Sequence, residues 1–144
     1  MFNHDTAQLL RETDKGVKMA ILSFDQLLEK VEDPAMRKIM EESRNDHKRL
    51  QNETQNLIKA YCVNKEQPPV MARVMARMET GIKLAAEDRD RAIAQITVKG
   101  CDTGKRSLHK YINMYPSADP AAADTAKKFI RLEEDLEKKM ELYL

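Results

Sequence analysis

The 144 residues carry 34% charged and only 5% aromatic side chains, with no tryptophan and 25 basic groups against 24 acidic ones. A net charge of +1 excludes the basic footprint of a nucleic-acid binder, and no block of like charge is long enough to hold an anionic membrane surface. A chain of this size buries a core without disulfides or a structural metal, and Leu, Ile, Met and Ala supply that core in a helix-bundle composition.

The opening "MFNHDTAQLLRETDKG" has no apolar leader core. No stretch approaches the roughly 20 apolar residues of a membrane span. The expectation is a cytoplasmic, membrane-free, all-α domain over residues 1–144.

Leu10, Asp14, Val17, Ile21, Phe24, Leu28 and Val31 recur at spacings of four and three, predicting a helix over 4–32. "EDPAM" ends it, because the residue before proline is pushed out of the helical region while proline tolerates a first helical position. Asp33 is placed to cap the next helix and Pro34 to open it. Met36, Ile39, Met40, Ser43, His47, Leu50, Thr54, Leu57 and Tyr61 form its inner stripe, completing a hairpin over 4–62.

After "VNKEQPP", the residues Val70, Met71, Val74, Met75, Met78, Ile82 and Ala85 predict a shorter helix over 69–86. Ile93, Ile96, Gly100, Gly104, Leu108 and Tyr111 mark the seam of the next, which ends before "PSADPAA". There Asp119 and Pro120 repeat the cap-and-open device. The last seam runs through Ala122, Ala126, Phe129, Leu132, Leu136, Met140 and Tyr143, closing a second hairpin over 88–143.

The 69–86 helix reaches roughly 25 Å at 1.5 Å per residue. With its extended ends it can climb back along most of the bundle. The prediction is an up-down-down-up four-helix bundle with an added crossover helix. The Asp-Pro-bent hairpins and the phrase "GCDTGKRSLHKYINMY" resemble the uncharacterised ferritin-like bundle proteins of bacteria, over nearly the whole chain. That resemblance implies the fold. It leaves function open, since the superfamily mixes di-iron enzymes, iron stores and bundles without metal.

Does "EESRNDH", residues 41–47, hold a metal? A ferritin-like di-metal centre draws on Glu-x-x-His, whose spacing puts both side chains on one helix face. Glu42 and His47 lie about 140° apart round the helix, and Glu41 and His47 about 120°. No Glu-x-x-His occurs in the chain. His109 is preceded by Lys105 and Arg106, and His4 sits at a terminus. No cofactor is therefore expected. The alternative is iron or manganese in a carboxylate-rich site using Asp14 on one seam, Glu133 beside another, and His47.

All of the glycines, Gly16, Gly81, Gly100 and Gly104, fall inside predicted helices, where each costs about 1 kcal/mol relative to alanine. Helix rise sets Gly16 level with Leu50 and Gly104, and Ala20 level with Gly100, with Ser43 and His47 nearby. Those residues define a waist. Either backbones approach there, or Gly16, Gly100, Gly104, Ser43 and His47 line a mid-bundle pocket. The same levels place Cys62 and Cys101 too far apart for a disulfide, leaving both as small apolar residues.

The functional expectation is a non-catalytic bundle that self-associates, because the crossover helix must cover either its own bundle or a second copy in a homodimer. The alternatives are the metal protein above and a small-ligand carrier using the glycine-lined waist.

Overall fold

A computed structural model describes residues 3–64 and 88–144. The predicted crossover helix, residues 69–86, and Gly81 lie outside the described residues. The helices are α1 (His4–Leu28), α2 (Pro34–Ala60), α3 (Arg89–Met114) and α4 (Pro120–Met140), followed by one 3-10 turn over Glu141–Tyr143.

Contacts at the two ends fix the direction of every helix. At one end the Asn3 amide donates to the Ser117 carbonyl at 3.3 Å, and the Asp119 N–H donates to the Thr6 hydroxyl at 2.9 Å. There too the Tyr61 hydroxyl donates to Asp119 at 2.7 Å, and Arg11 donates to the Asn64 carbonyl at 3.0 Å. At the opposite end the Asp90 carboxylate accepts from the N–H groups of Glu32 and Asp33 at 2.8 and 2.9 Å. The start of α1, the end of α2, the end of α3 and the start of α4 thus share one end. The order is up-down-down-up, as the hairpin pattern implies.

The helix ends are satisfied by a mixture of local and long-range groups. Asn3 caps α1 by accepting from the Thr6 N–H at 2.7 Å, and Asp33 caps α2 by accepting from Met36 at 2.8 Å. Helix α1 ends at Leu28 rather than near residue 32, because Arg37 of α2 donates to the carbonyls of Leu28 (3.1 Å) and Val31. Asp119 departs from the expected device. Its side chain makes no capping bond to α4 and instead accepts from Tyr61 and Asn3. Likewise Asp88 stands at the start of α3 without a capping bond, while Asp90 reaches across to the approach of α2.

Helix α2 ends in a paired arrangement of hydrogen bonds: Cys62 N–H to Lys59 carbonyl and Val63 N–H to Ile58 carbonyl. This turn needs a left-handed residue just past the helix, normally glycine. Here it is Cys62, with φ of 55°. Cys62→Gly should therefore stabilise the protein by about 0.5–1 kcal/mol, read as a higher midpoint of chemical unfolding; a loss would mean the thiol has a packing role.

The interior divides into two apolar clusters. Phe24, Leu27, Leu28, Val31, Met36, Met40, Ile93, Leu136 and Met140 fill one half. Leu9, Leu10, Val17, Leu50, Ile58, Leu108, Phe129 and Ile130 fill the other. The boundary falls at the level of His47 and Glu133, both buried.

Candidate functional site

His47 lies on the inward seam of α2, seven residues past Met40 and three before Leu50, all of them buried. Glu133 stands four residues after Phe129 and three before Leu136 on α4, so it belongs to the seam itself. Helices α2 and α4 run antiparallel, and their contacts Tyr61–Asp119, Glu53–Lys128 and His47–Glu133 hold one register. That register delivers the imidazole Nε2 to within 2.7 Å of Glu133 Oε1, with His47 fully buried and Glu133 4% exposed.

The proton positions follow from the partners. His47 Nδ1 is 2.7 Å from the Ser43 carbonyl, which only accepts, so Nδ1 carries a hydrogen. The Nε2–Oε1 bond then requires one proton. Either the imidazolium donates to a carboxylate, or the carboxylic acid donates to a neutral ring. In both forms the pair has no net charge, as a low-dielectric interior demands.

The aromatic walls complete the site. Phe24 meets the His47 ring edge-to-face at 5.2 Å between centroids, and Phe129 does so at 5.9 Å. Cys101 of α3 lies beside Glu133. Burial first, and then the Glu133 carboxylate, push that thiol well above its ordinary 9.0. Beside it Lys105 bonds Glu137 at 3.0 Å, and that bond raises the lysine.

Cys101 is buried and Cys62 exposed, which corrects the reading of Cys62 as a small apolar residue; both thiols are free. A thiol reagent at neutral pH should label Cys62 alone in the folded protein, with Cys101 reacting only after denaturation. A native stoichiometry of two would overturn this. The sign for stability follows from the raised thiol. Its contribution is full below about pH 9.0, the ordinary value, and is lost as pH rises above it.

The predicted waist exists in part. Phe129 inserts one ring edge between Gly16 and Gly104: a Cβ on either glycine would stand 3.3 Å from that ring. A Cβ on Gly104 would also stand 3.6 Å from Glu133 Oε2. Gly100 does not join them. It is exposed, with nothing within 4 Å of its would-be Cβ. The seam of α3 runs through Ile93, Thr97, Cys101 and Leu108 rather than through Ile96 and Gly100. Ser43 lies half-buried one turn from His47. Between the two glycines stands a phenyl ring, so a ligand at that level requires the ring to move aside.

Gly100→Ala should stabilise by about 1 kcal/mol through helix propensity alone. Gly104→Ala should lose that gain against Phe129 and come out neutral or destabilising. Equal stabilisation by both in chemical unfolding would show that the ring does not need the slot.

The structure does not bring Asp14 to His47 and Glu133. Its carboxylate takes an ion pair from Lys18 at 2.7 Å and a hydrogen bond from Gln55 at 2.5 Å. Glu41 and Glu42 face outward, and His109 is exposed. Among the described residues no three His, Cys, Asp or Glu side chains stand together as a metal-ligand group. The described residues therefore do not fit the iron or manganese centre that the ferritin-like resemblance allows. Sequence reasoning weighed Glu133 as a ligand and missed it as the partner of His47. The three-and-four spacing of 129, 133, 136 and 140 carried that signal.

A groove of about 780 Å³ opens on the outside between α2 and α4, away from the waist. Leu57, Ala60, Asp124 and Arg131 are among its lining residues, together with Glu53 and Lys128, which are ion-paired at 2.7 Å.

These observations define the class: an all-α, up-down-down-up bundle whose centre is a buried, internally paired polar layer. The chain is similar in fold to the crystal structure of a DUF305 fragment from Deinococcus radiodurans, with a TM-score of 0.76 over 97% of this chain and 95% of that one, at 13% identity. No protein-family model matches the sequence, and no curated protein matches it. Among the described residues, no helix is long and apolar enough to cross a membrane.

Proposed function

We propose that the chain is a non-catalytic structural or interaction module that works by self-association, as a homodimer. The observation that carries this reading is the filled interior. Phe129 occupies the space between the glycines, and the buried polar groups of His47, Glu133 and Asp14 have protein partners. Among the described residues the centre is taken up by side chains that pack on or bond one another, which points recognition to the outer surface. There Leu142 is 84% exposed and Leu144 49%, both beside the half-buried Tyr143. Covering them against a second copy removes apolar area from water, at about 25 cal/mol per Å².

Light scattering over a concentration series tests the reading. The expected result is a mass rising from monomer to dimer, with Leu142→Glu shifted toward monomer at unchanged helicity. A mass that stays monomeric at the highest concentration removes the proposal.

A further inference from the structure

We propose that the His47–Glu133 pair is a pH-sensitive clasp between the two hairpins, holding α2 against α4 only while the pair carries a single shared proton.

The Ser43 carbonyl claims the Nδ1 hydrogen, so the shared proton lies between Nε2 and the carboxylate. Adding a second proton gives an imidazolium facing a neutral acid: a cation at a fully buried position with no counter-ion. Removing the shared proton leaves the Nε2 lone pair against a carboxylate oxygen, with a buried negative charge. Each departure from one proton places a net charge between Phe24 and Phe129. Acid and alkali therefore weaken the same contact for different reasons.

Most surrounding charges are engaged with one another, Arg44 keeping its buried Nε without a partner among the described residues. On α1, Asp14 is held by Lys18 and Gln55, and Asp25 pairs with Arg44 of α2 at 3.4 Å. On α3, Lys105 is bonded to Glu137 of α4, and the buried Cys101 thiol stays neutral beside Glu133. His47 sits on the first hairpin and Glu133 on the second, 86 positions apart in sequence. Their bond joins the hairpins at the layer that separates the two apolar clusters.

The test compares thermal unfolding of the wild type and His47→Gln/Glu133→Gln from about pH 4 to about pH 9, spanning the ordinary imidazole and carboxyl ranges. The double variant has amides of similar shape and nothing to titrate, while surface charges remain common to both proteins. The Tm difference, wild type minus variant, should peak at intermediate pH and fall by about 5 °C or more toward each end. A difference that stays level across the range overturns the clasp and leaves a purely structural pair. If the double variant does not fold, Glu133→Gln alone is read against the wild type. Its amide donates to a neutral ring and has no shared proton to lose, so the alkaline fall should vanish while the acid fall persists. An alkaline fall equal to that of the wild type overturns the proposal.

Discussion

Phe129→Ala should destabilise the protein by roughly 3–5 kcal/mol, lowering Tm by about 10 °C or more. The ring is 2% exposed and touches four separate features: Gly16 of α1, Gly104 of α3, the His47 ring of α2 and the apolar cluster around it. Cavity cost depends on how far the surroundings can collapse. Here two of the walls are glycine backbone on separate helices, with no side chain to swing into the void. The loss therefore belongs toward the upper end of the range. Chemical unfolding measures it; a change below about 1.5 kcal/mol, within the range of a volume-conserving swap, would mean the helices close over the gap. Phe129→Leu should fall between alanine and the wild type.

Removing one member of the buried pair should be nearly as damaging. His47→Leu leaves the Glu133 carboxylate inside the bundle without its partner, and Glu133→Leu leaves Nε2 facing an apolar side chain. Breaking a buried pair from one side costs about 3–5 kcal/mol. The double replacement removes both polar groups together and should recover most of that loss, because well-packed apolar residues often equal a buried pair in stability. A double-mutant cycle read by denaturant unfolding gives the coupling directly. Strictly additive single effects would show that the two side chains do not depend on each other.

The frame of the molecule was legible because its punctuation is local. Each Asp-Pro pair bends the chain within a few residues, and the four-and-three spacing of apolar side chains marks which face turns inward. His47 could be placed on a seam for the same reason. What stayed hidden depends on groups distant in sequence. Asp119 looks like a cap but is drawn off by Tyr61, and Asp90 looks local but serves the approach to α2. Helix α3 misled through its amphipathic ambiguity. Ile96 and Gly100 suggested a stripe, whereas Thr97 returns its hydroxyl to the Ile93 carbonyl at 2.8 Å and is buried at little polar cost. Gly16 and Gly104 are legible as helix-interior glycines, but their common cause is not, since a ring arriving from a third helix leaves no trace near either of them.

The polar layer between the two apolar halves also acts as an alignment mark. Leu, Met and Ile side chains on either side of it are nearly interchangeable in their demands, so a helix sliding by one turn, about 5.4 Å, would still bury oil against oil. Such a slide of α4 along α2 would carry Glu133 away from His47 and toward Met40 or Leu50. The carboxylate would then lose its imidazole, and Nε2 its partner across the bundle. One mismatched layer is enough to reject every shifted packing, and it leaves the residues above and below free to vary in size and shape without losing their place.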